Sequence, residues 1–148
     1  MKRILLYSSL IFVALASGCV PTTVSPVVAA GPEGTFTGQF MYFHLHSKTG
    51  VVDTTKANIQ LQMEQSTGFK VTGDTATVHA GSFGSYIVNT AYNNIDFLDN
   101  TYPTTGTPTK LHLNGVYAYS YDGTILKMVA YSPFDTLTYF YTLKRTGN

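Results

Sequence analysis

Residues 111–131 read LHLNGVYAYSYDGTILKMVAY, and this stretch decides the fold. Large apolar side chains occupy odd-numbered positions of its first half: Leu111, Leu113, Tyr117, Tyr119 and Tyr121. A period of two is typical of a β-strand with one face in a core and the other in water. The pair Asp122-Gly123 then separates this run from the apolar run 125–131, and it tolerates the positive φ angles of a tight turn. The stretch therefore predicts an antiparallel β-hairpin.

The same alternation recurs from Gly34 onward, and no helical period of useful length is present. The predicted strands span 36–46, 55–65, 68–73, 77–80 merging into 82–89, 94–99, 110–121, 124–131 and 137–145. Short connections between consecutive strands favour an antiparallel meander. Eight strands in so short a chain close into a barrel, because closure removes the exposed edges of an open sheet. The sequence therefore predicts an all-β fold, a small antiparallel eight-stranded up-and-down barrel over residues 34–148.

The first nineteen residues predict the location of the protein. Two basic residues precede an apolar run, residues 4–15, that is too short to span a bilayer as a mature helix. Residues 1–18 therefore predict a cleaved export signal. Their ending, Leu15-Ala16-Ser17-Gly18-Cys19, resembles the lipobox of bacterial lipoproteins. That resemblance implies lipidation of Cys19 with diacylglyceryl and palmitate-type acyl chains, and hence a membrane as partner through the lipid anchor.

Residues 19–33 predict a lipidated cysteine followed by a tether, because three prolines and small residues dominate the segment. Val20 stands where some lipoproteins carry the aspartate that retains them in the inner membrane. The lipoprotein resemblance therefore implies the outer membrane, with the domain facing the periplasm.

Composition argues against several classes of function. Without the predicted leader the net charge is −1, and no basic stripe is present, which argues against a nucleic-acid partner. Cys19 is the only cysteine. Once it is lipidated, the chain has no cysteine left for a disulfide, a thiolate nucleophile or a metal site. Stability must then come from a buried core alone.

Two short motifs resemble those of lipocalins. Gly38-Gln39-Phe40 is similar to the Gly-x-Trp motif of the first lipocalin strand, and Gly34-Thr35-Phe36 is a second candidate. Arg145 stands near the end of the last strand, where lipocalins place a basic residue over that aromatic ring. The resemblance implies an eight-stranded barrel that holds a small apolar ligand, although a fold does not identify the ligand.

Tyrosine is the most distinctive chemical signal, and two interpretations of it remain open. A cavity lined by aromatic rings would suit a small apolar or amphiphilic molecule, whereas the same rings would also fill a narrow barrel completely. The candidate ligand-binding residues are Phe40, Met63, Tyr117, Tyr119, Tyr139 and Tyr141. The alternative is a solid-core interaction module in an envelope assembly, with Met41, Phe43 and Leu45 as an exposed stripe on the first strand.

The residue patterns that would indicate a catalytic or metal site are weaker than those that indicate ligand binding. His44 and His46 lie on one face of a strand and would chelate a metal with a third ligand such as His112 or a carboxylate. His79 is expected to face solvent, and Asp96 and Asp99 are expected to serve loops or turns. No nucleophile elbow and no phosphate-binding glycine loop is present. The sequence therefore predicts a non-catalytic protein without a cofactor.

Overall fold

The computed structural model describes residues 31–132 and 136–147. The strands are β1 (Gly34–His46), β2 (Val51–Glu64), β3 (Gly68–Gly73), β4 (Phe83–Asn89), β5 (Asn94–Asp99), β6 (Gly115–Tyr121), β7 (Ile125–Tyr131) and β8 (Leu137–Gly147). None of the described residues forms a helix long and apolar enough to cross a membrane.

The eight strands form one closed barrel in chain order, and every neighbouring pair is antiparallel. The predicted fold class is therefore confirmed, with the strand arrangement that lipocalins also have. The ladders differ in length. β1 and β2 pair from Gly34 to His46, whereas β3 and β4 pair only at Phe69 and Lys70.

The hairpin predicted at residues 121–124 is present between β6 and β7. The Asp122 carboxylate accepts hydrogen bonds from the backbone N–H groups of Thr124 and Ile125, at 2.8 and 2.7 Å. These two bonds lower the pKa of Asp122. Gly123 has φ +91°, which explains why glycine follows the aspartate.

Alternate side chains of every strand meet in a continuous apolar core. Its fully buried members with the largest side chains are Tyr141, Phe36, Phe40, Phe97, Ile59, Leu61, Met63, Ile95, Leu113, Leu126, Met128 and Leu143. Aromatic rings contact each other through the middle of the barrel, for example Phe40 with Tyr141 at a centroid distance of 4.8 Å. The central interior is therefore filled by side chains, as narrow barrels permit.

Residues 77–80 and 110–114 lie outside the strands, so the predictions for these two segments were wrong. They pair with each other instead: the Leu111 N–H donates to the Val78 carbonyl at 2.9 Å, and the Ala80 N–H donates to the Leu111 carbonyl at 2.8 Å. A parallel bridge joins His79 to Leu111. Because these backbone groups satisfy one another, the segments need no place in the ladder. We call residues 77–82 and 109–113 the cover.

The two ends of the barrel differ. The turn 47–50 and the long connections 74–82 and 100–114 lie at one end, which we call the loop end. Short turns lie at the other end, the turn end. The chain reaches β1 at the turn end, where a Cβ atom on Gly31 would lie 3.2 Å from the Val88 side chain. The predicted leader and most of the predicted tether lie outside the described residues.

Candidate functional site

A cavity of about 410 Å³ lies at the loop end, between the cover and the barrel. Its lining combines aromatic rings with hydrogen-bonding and basic groups: Tyr102, Thr107, Pro108, Lys110, Leu111, His112, Asn114, Tyr117 and Tyr139. A smaller cavity of about 290 Å³ lies beside it and shares Pro108, Lys110 and Leu111. Concave sites with aromatic walls and a few polar groups are typical of small-molecule binding.

An aspartate and a histidine meet at the wall of this cavity. His112 Nδ1 lies 2.7 Å from Asp99 Oδ2, and the Asp99 side chain is inaccessible to solvent. Asp99 ends β5, whereas His112 belongs to the cover, so the loop 100–114 brings the two residues together. The Asn114 side-chain oxygen accepts the Asp99 backbone N–H at 3.0 Å and fixes this end of the loop.

Hydrogen bonds keep the buried Asp99 carboxylate ionised. Burial by itself raises the pKa of Asp99, but donation from Thr101, Ser82 and His112 outweighs it and lowers that pKa. The Thr101 backbone N–H and hydroxyl both donate to Asp99 Oδ1, at 2.8 and 2.7 Å. A buried, fully bonded carboxylate of this kind holds its histidine partner in a defined orientation.

His79 is buried, so the prediction that it faces solvent was wrong. Its Nδ1 lies 2.6 Å from the Ala80 carbonyl oxygen and must donate, because a carbonyl only accepts. Its Nε2 then accepts from the Tyr141 hydroxyl at 2.9 Å. Burial lowers the pKa of His79, consistent with a neutral ring. This hydrogen bond ties the cover to the barrel interior.

The structure separates the predicted ligand-binding residues into two groups. Tyr117 and Tyr139 line the loop-end cavity. The packed core holds three of the others, Phe40, Met63 and Tyr141, which are fully buried and line neither the loop-end cavity nor the smaller cavity beside it. Tyr119 is half-buried against that core.

Tyr117 connects the two groups, because its ring packs edge-on against Tyr141 at a centroid distance of 5.7 Å. The aromatic rings therefore fill the middle of the barrel and line a cavity at its end.

Sequence reasoning missed the pairing of Asp99 with His112. The sequence carries one weak signal, since Asp99 is followed two positions later by Thr101, which is typical of a carboxylate that bonds a turn. No spacing relates residue 99 to residue 112, because an irregular loop of the fold determines their distance. Ser82 was missed for the same reason.

The histidine pair on β1 has a carboxylate neighbour, one of the two kinds of third group considered for it. His46 Nε2 bonds Asp53 Oδ2 at 2.6 Å, so an acidic neighbour is supplied by the adjacent strand. The rings of His44 and His46 lie 4.4 Å apart. Within the described ranges, no three His, Cys, Asp or Glu residues converge in a way that would hold a metal ion.

A second, larger concavity lies where β3 and β4 barely pair. Its volume is about 850 Å³, and amide, hydroxyl and backbone groups make up much of its lining, including Gln62, Gln65 and Lys70. Tyr86 also lines it, and the Tyr86 hydroxyl is buried without a hydrogen-bond partner among the described residues. Burial raises the pKa of Tyr86 to about 12.

Four exposed apolar side chains lie on the outer face of β4, β5 and β6, and three more, Leu45, Val51 and Val52, lie at the loop end of β1 and β2. Phe83, Ile87, Leu98 and Val116 are all about half exposed or more. On β1, the predicted stripe is exposed only at Leu45, because Met41 and Phe43 are half-buried.

No family model, curated protein or solved structure matches this chain.

Proposed function

We propose that this barrel binds one small amphiphilic molecule in the loop-end cavity, without catalysing a reaction on it. The observation that carries the proposal is the lining of that cavity, where three tyrosine rings lie beside a buried Asp99–His112 pair and Lys110. Aromatic walls favour an apolar body, and the charged groups favour a polar head.

Burial of the apolar part of such a molecule supplies the free energy of binding. Each square ångström of apolar surface removed from water contributes roughly 25 cal/mol before the entropic cost of association. Tyr102 lies in the loop 100–114, Tyr117 on β6 and Tyr139 on β8, so three separate elements contribute rings to the lining. The packed core beneath Tyr117 limits how deep a ligand extends.

A test is native mass spectrometry of the full chain, purified from its own host and freed from detergent in the gas phase. Thr107 is exposed and lines the cavity, so Thr107→Trp fills the cavity with little disturbance of the core. Thr105→Trp is the matched control, since Thr105 is exposed in the same loop and is not among the lining residues.

We expect a small co-purifying mass on the parent chain and on Thr105→Trp, and its loss from Thr107→Trp. An unliganded mass for all three proteins, unchanged after incubation with a lipid extract, would contradict the proposal.

We further propose that the chain is an exported lipoprotein anchored at Cys19 in the outer membrane, with a domain that belongs to the lipocalin-like group. The lipobox-like ending at residues 15–19 supports the anchor, and the strand pairing supports the family likeness. The described chain reaches β1 at the turn end, so an anchor on this side would leave the loop-end cavity facing away from the membrane. Arg145 pairs with Phe36 in the β1–β8 ladder, which favours Gly34-Thr35-Phe36 over Gly38-Gln39-Phe40 as the lipocalin-like motif.

Intact-mass measurement tests the anchor directly. A diacylglyceryl and an acyl chain should add their mass to the chain that begins at Cys19, and Cys19→Ala should abolish both the mass increase and recovery with membranes. A mature chain without lipid would contradict the anchor and leave the binding proposal unaffected.

A second candidate function is an interaction module in an envelope assembly. It is favoured by the exposed apolar side chains of β4, β5 and β6, since clusters of this kind often mark protein contacts. A photo-crosslinking amino acid at Leu98 should then give one discrete product in intact cells. The same group at Gln60, on the polar outer face of β2, is the control and should give none.

A further inference from the structure

We propose that the molecule bound in the loop-end cavity is an organic acid, and that His112 recognises its carboxylate as an imidazolium held by Asp99. This inference rests on the proposed function of the cavity and names the chemical class of its ligand.

The hydrogen bonds of His112 determine which ring nitrogen is available to a ligand. Asp99 is an acceptor, so Nδ1 of His112 carries a proton in both the neutral and the charged ring. Nε2 is the remaining nitrogen, and no hydrogen bond to it is made within the described part of the chain. In the neutral ring Nε2 accepts a hydrogen bond, and after protonation it donates one.

The surroundings of His112 favour an anionic ligand once the ring is protonated. Asp99 faces the His112 ring from the end of β5. Lys110 belongs to the same cover segment as His112, and its ammonium donates to the Thr75 carbonyl at 2.8 Å. Tyr102 packs edge-on against the His112 ring at 5.3 Å. With a carboxylate bound, two cationic groups, His112 and Lys110, would balance two anionic ones, the ligand and Asp99.

Other titratable groups near the cavity leave this balance unchanged. His79 is close enough to interact with His112, but its ring is buried and already bonded at both nitrogens. The hydroxyls of Tyr117 and Tyr141 are neutral, because burial raises the pKa of both. Tyr139 contributes a further ring to the lining.

Binding then includes a simple proton step. An organic acid is ionised in water near neutral pH, so it arrives as a carboxylate. The lone pair of His112 Nε2 takes a proton from solvent and forms an N–H bond, which donates to the carboxylate oxygen. The carboxylate keeps its electron pair, and the complex gains up to one proton relative to the separated partners. Such charge-assisted hydrogen bonds are about twice as strong as neutral ones.

Calorimetry with two matched probes tests the inference on the full chain. Decanoic acid and 1-decanol share their chain length and differ in the head group. Titration at pH 8 in phosphate and in Tris separates proton uptake from binding, because the two buffers differ in ionisation enthalpy. The variants are His112→Gln, which does not titrate, and Lys127→Gln, an exposed control on β7.

We expect decanoate to bind about tenfold more tightly than decanol, which corresponds to about 1.4 kcal/mol, with net proton uptake. Lys127→Gln should keep both properties, and His112→Gln should lose both while still binding decanol. Retention of the preference and of proton uptake in His112→Gln would overturn the inference. Equal binding of the two probes without proton uptake would overturn it and leave the proposed function standing, whereas no binding of either probe would contradict both.

Discussion

Two buried tyrosine hydroxyls show how the presence or absence of a hydrogen-bond partner affects stability at the scale of single residues. The Tyr141 hydroxyl donates to His79 Nε2, whereas the Tyr86 hydroxyl has no partner among the described residues. A buried polar group without a hydrogen bond costs free energy, and removal of one member of a bonded pair leaves the other unsatisfied.

Tyr141→Phe and Tyr86→Phe should therefore have opposite effects. Tyr141→Phe leaves the buried His79 Nε2 without a donor and should lower the free energy of unfolding by about 1–3 kcal/mol. Tyr86→Phe removes an unsatisfied hydroxyl and should leave that free energy unchanged or raise it by up to about 1 kcal/mol. Urea denaturation of both variants beside the parent chain measures this difference. Equal destabilisation by the two substitutions would contradict the assignment of the hydrogen bonds.

His79 should make stability depend on pH. Because burial lowers its pKa in the folded state, the unfolded chain binds a proton more readily. The free energy of unfolding should therefore be highest above the ordinary histidine value of 6.5 and decrease as the pH falls below it. Asp99, whose pKa is also lowered, should add a second decrease below its ordinary value of 3.8.

Urea denaturation between pH 7.5 and pH 5 tests the His79 part. In His79→Phe the non-titrating ring should flatten the pH dependence in this range, although loss of the hydrogen bond to the Tyr141 hydroxyl lowers the overall stability. An unchanged slope in His79→Phe would show that another group is responsible.

At the scale of the strands, glycines allow close approach between neighbouring backbones. A Cβ atom on Gly84 would lie 1.9 Å from the Leu98 carbonyl oxygen, and one on Gly68 would lie at the same distance from the Gly84 carbonyl oxygen. Both clashes involve backbone atoms, so no side-chain rotation relieves them.

Gly84→Ala should therefore destabilise the barrel by at least about 1–3 kcal/mol, because β4 would have to move away from β5. Gly81→Ala is the matched control, since its nearest atom would lie at 3.7 Å and neither glycine has a positive φ. Thermal denaturation of both variants should show a lower midpoint for Gly84→Ala only. A matching decrease in Gly81→Ala would mean that the loss arises elsewhere.

At the scale of the whole barrel, the ladders are unequal in length. β1 pairs with β2 along its full length and with β8 over most of it, whereas β3 and β4 share two residue pairs. Local opening requires the loss of the fewest contacts at the β3–β4 ladder.

Native-state hydrogen exchange should therefore show the lowest strand protection on β3 and β4, and the highest on β1, β2 and β8. The amide of Val71, which donates to the Ser82 carbonyl at 2.7 Å beside the short ladder, should exchange before those of Ile59 and Leu61. Uniform protection around the barrel would contradict this order and indicate that the barrel opens only as a unit.

Strands in which apolar and polar residues alternate strictly were predicted well from the sequence. β5 was predicted with its observed bounds, and the hairpin at Asp122-Gly123 was confirmed, because both depend on neighbours in sequence. The cover was predicted less well. Residues 110–114 continue the alternation of β6, but the ladder begins only at Gly115, whose φ is +87°. Backbone groups of 77–80 and 110–114 bond one another across a long stretch of chain.

The sequence by itself determined the fold class, since a two-residue period and short turns leave an antiparallel barrel as the arrangement that buries one face of every strand. It also placed Tyr117 and Tyr141 on inward faces, where both belong to the core, and it singled out Tyr117 and Tyr139, which line the cavity. Only the tertiary structure decided that His79 is buried, that Asp99 holds His112, and that the cavity lies at the loop end and not in the centre. The physical reason is that burial and hydrogen-bond partners depend on distances between remote segments, whereas periodicity reports only which face of a strand a side chain occupies.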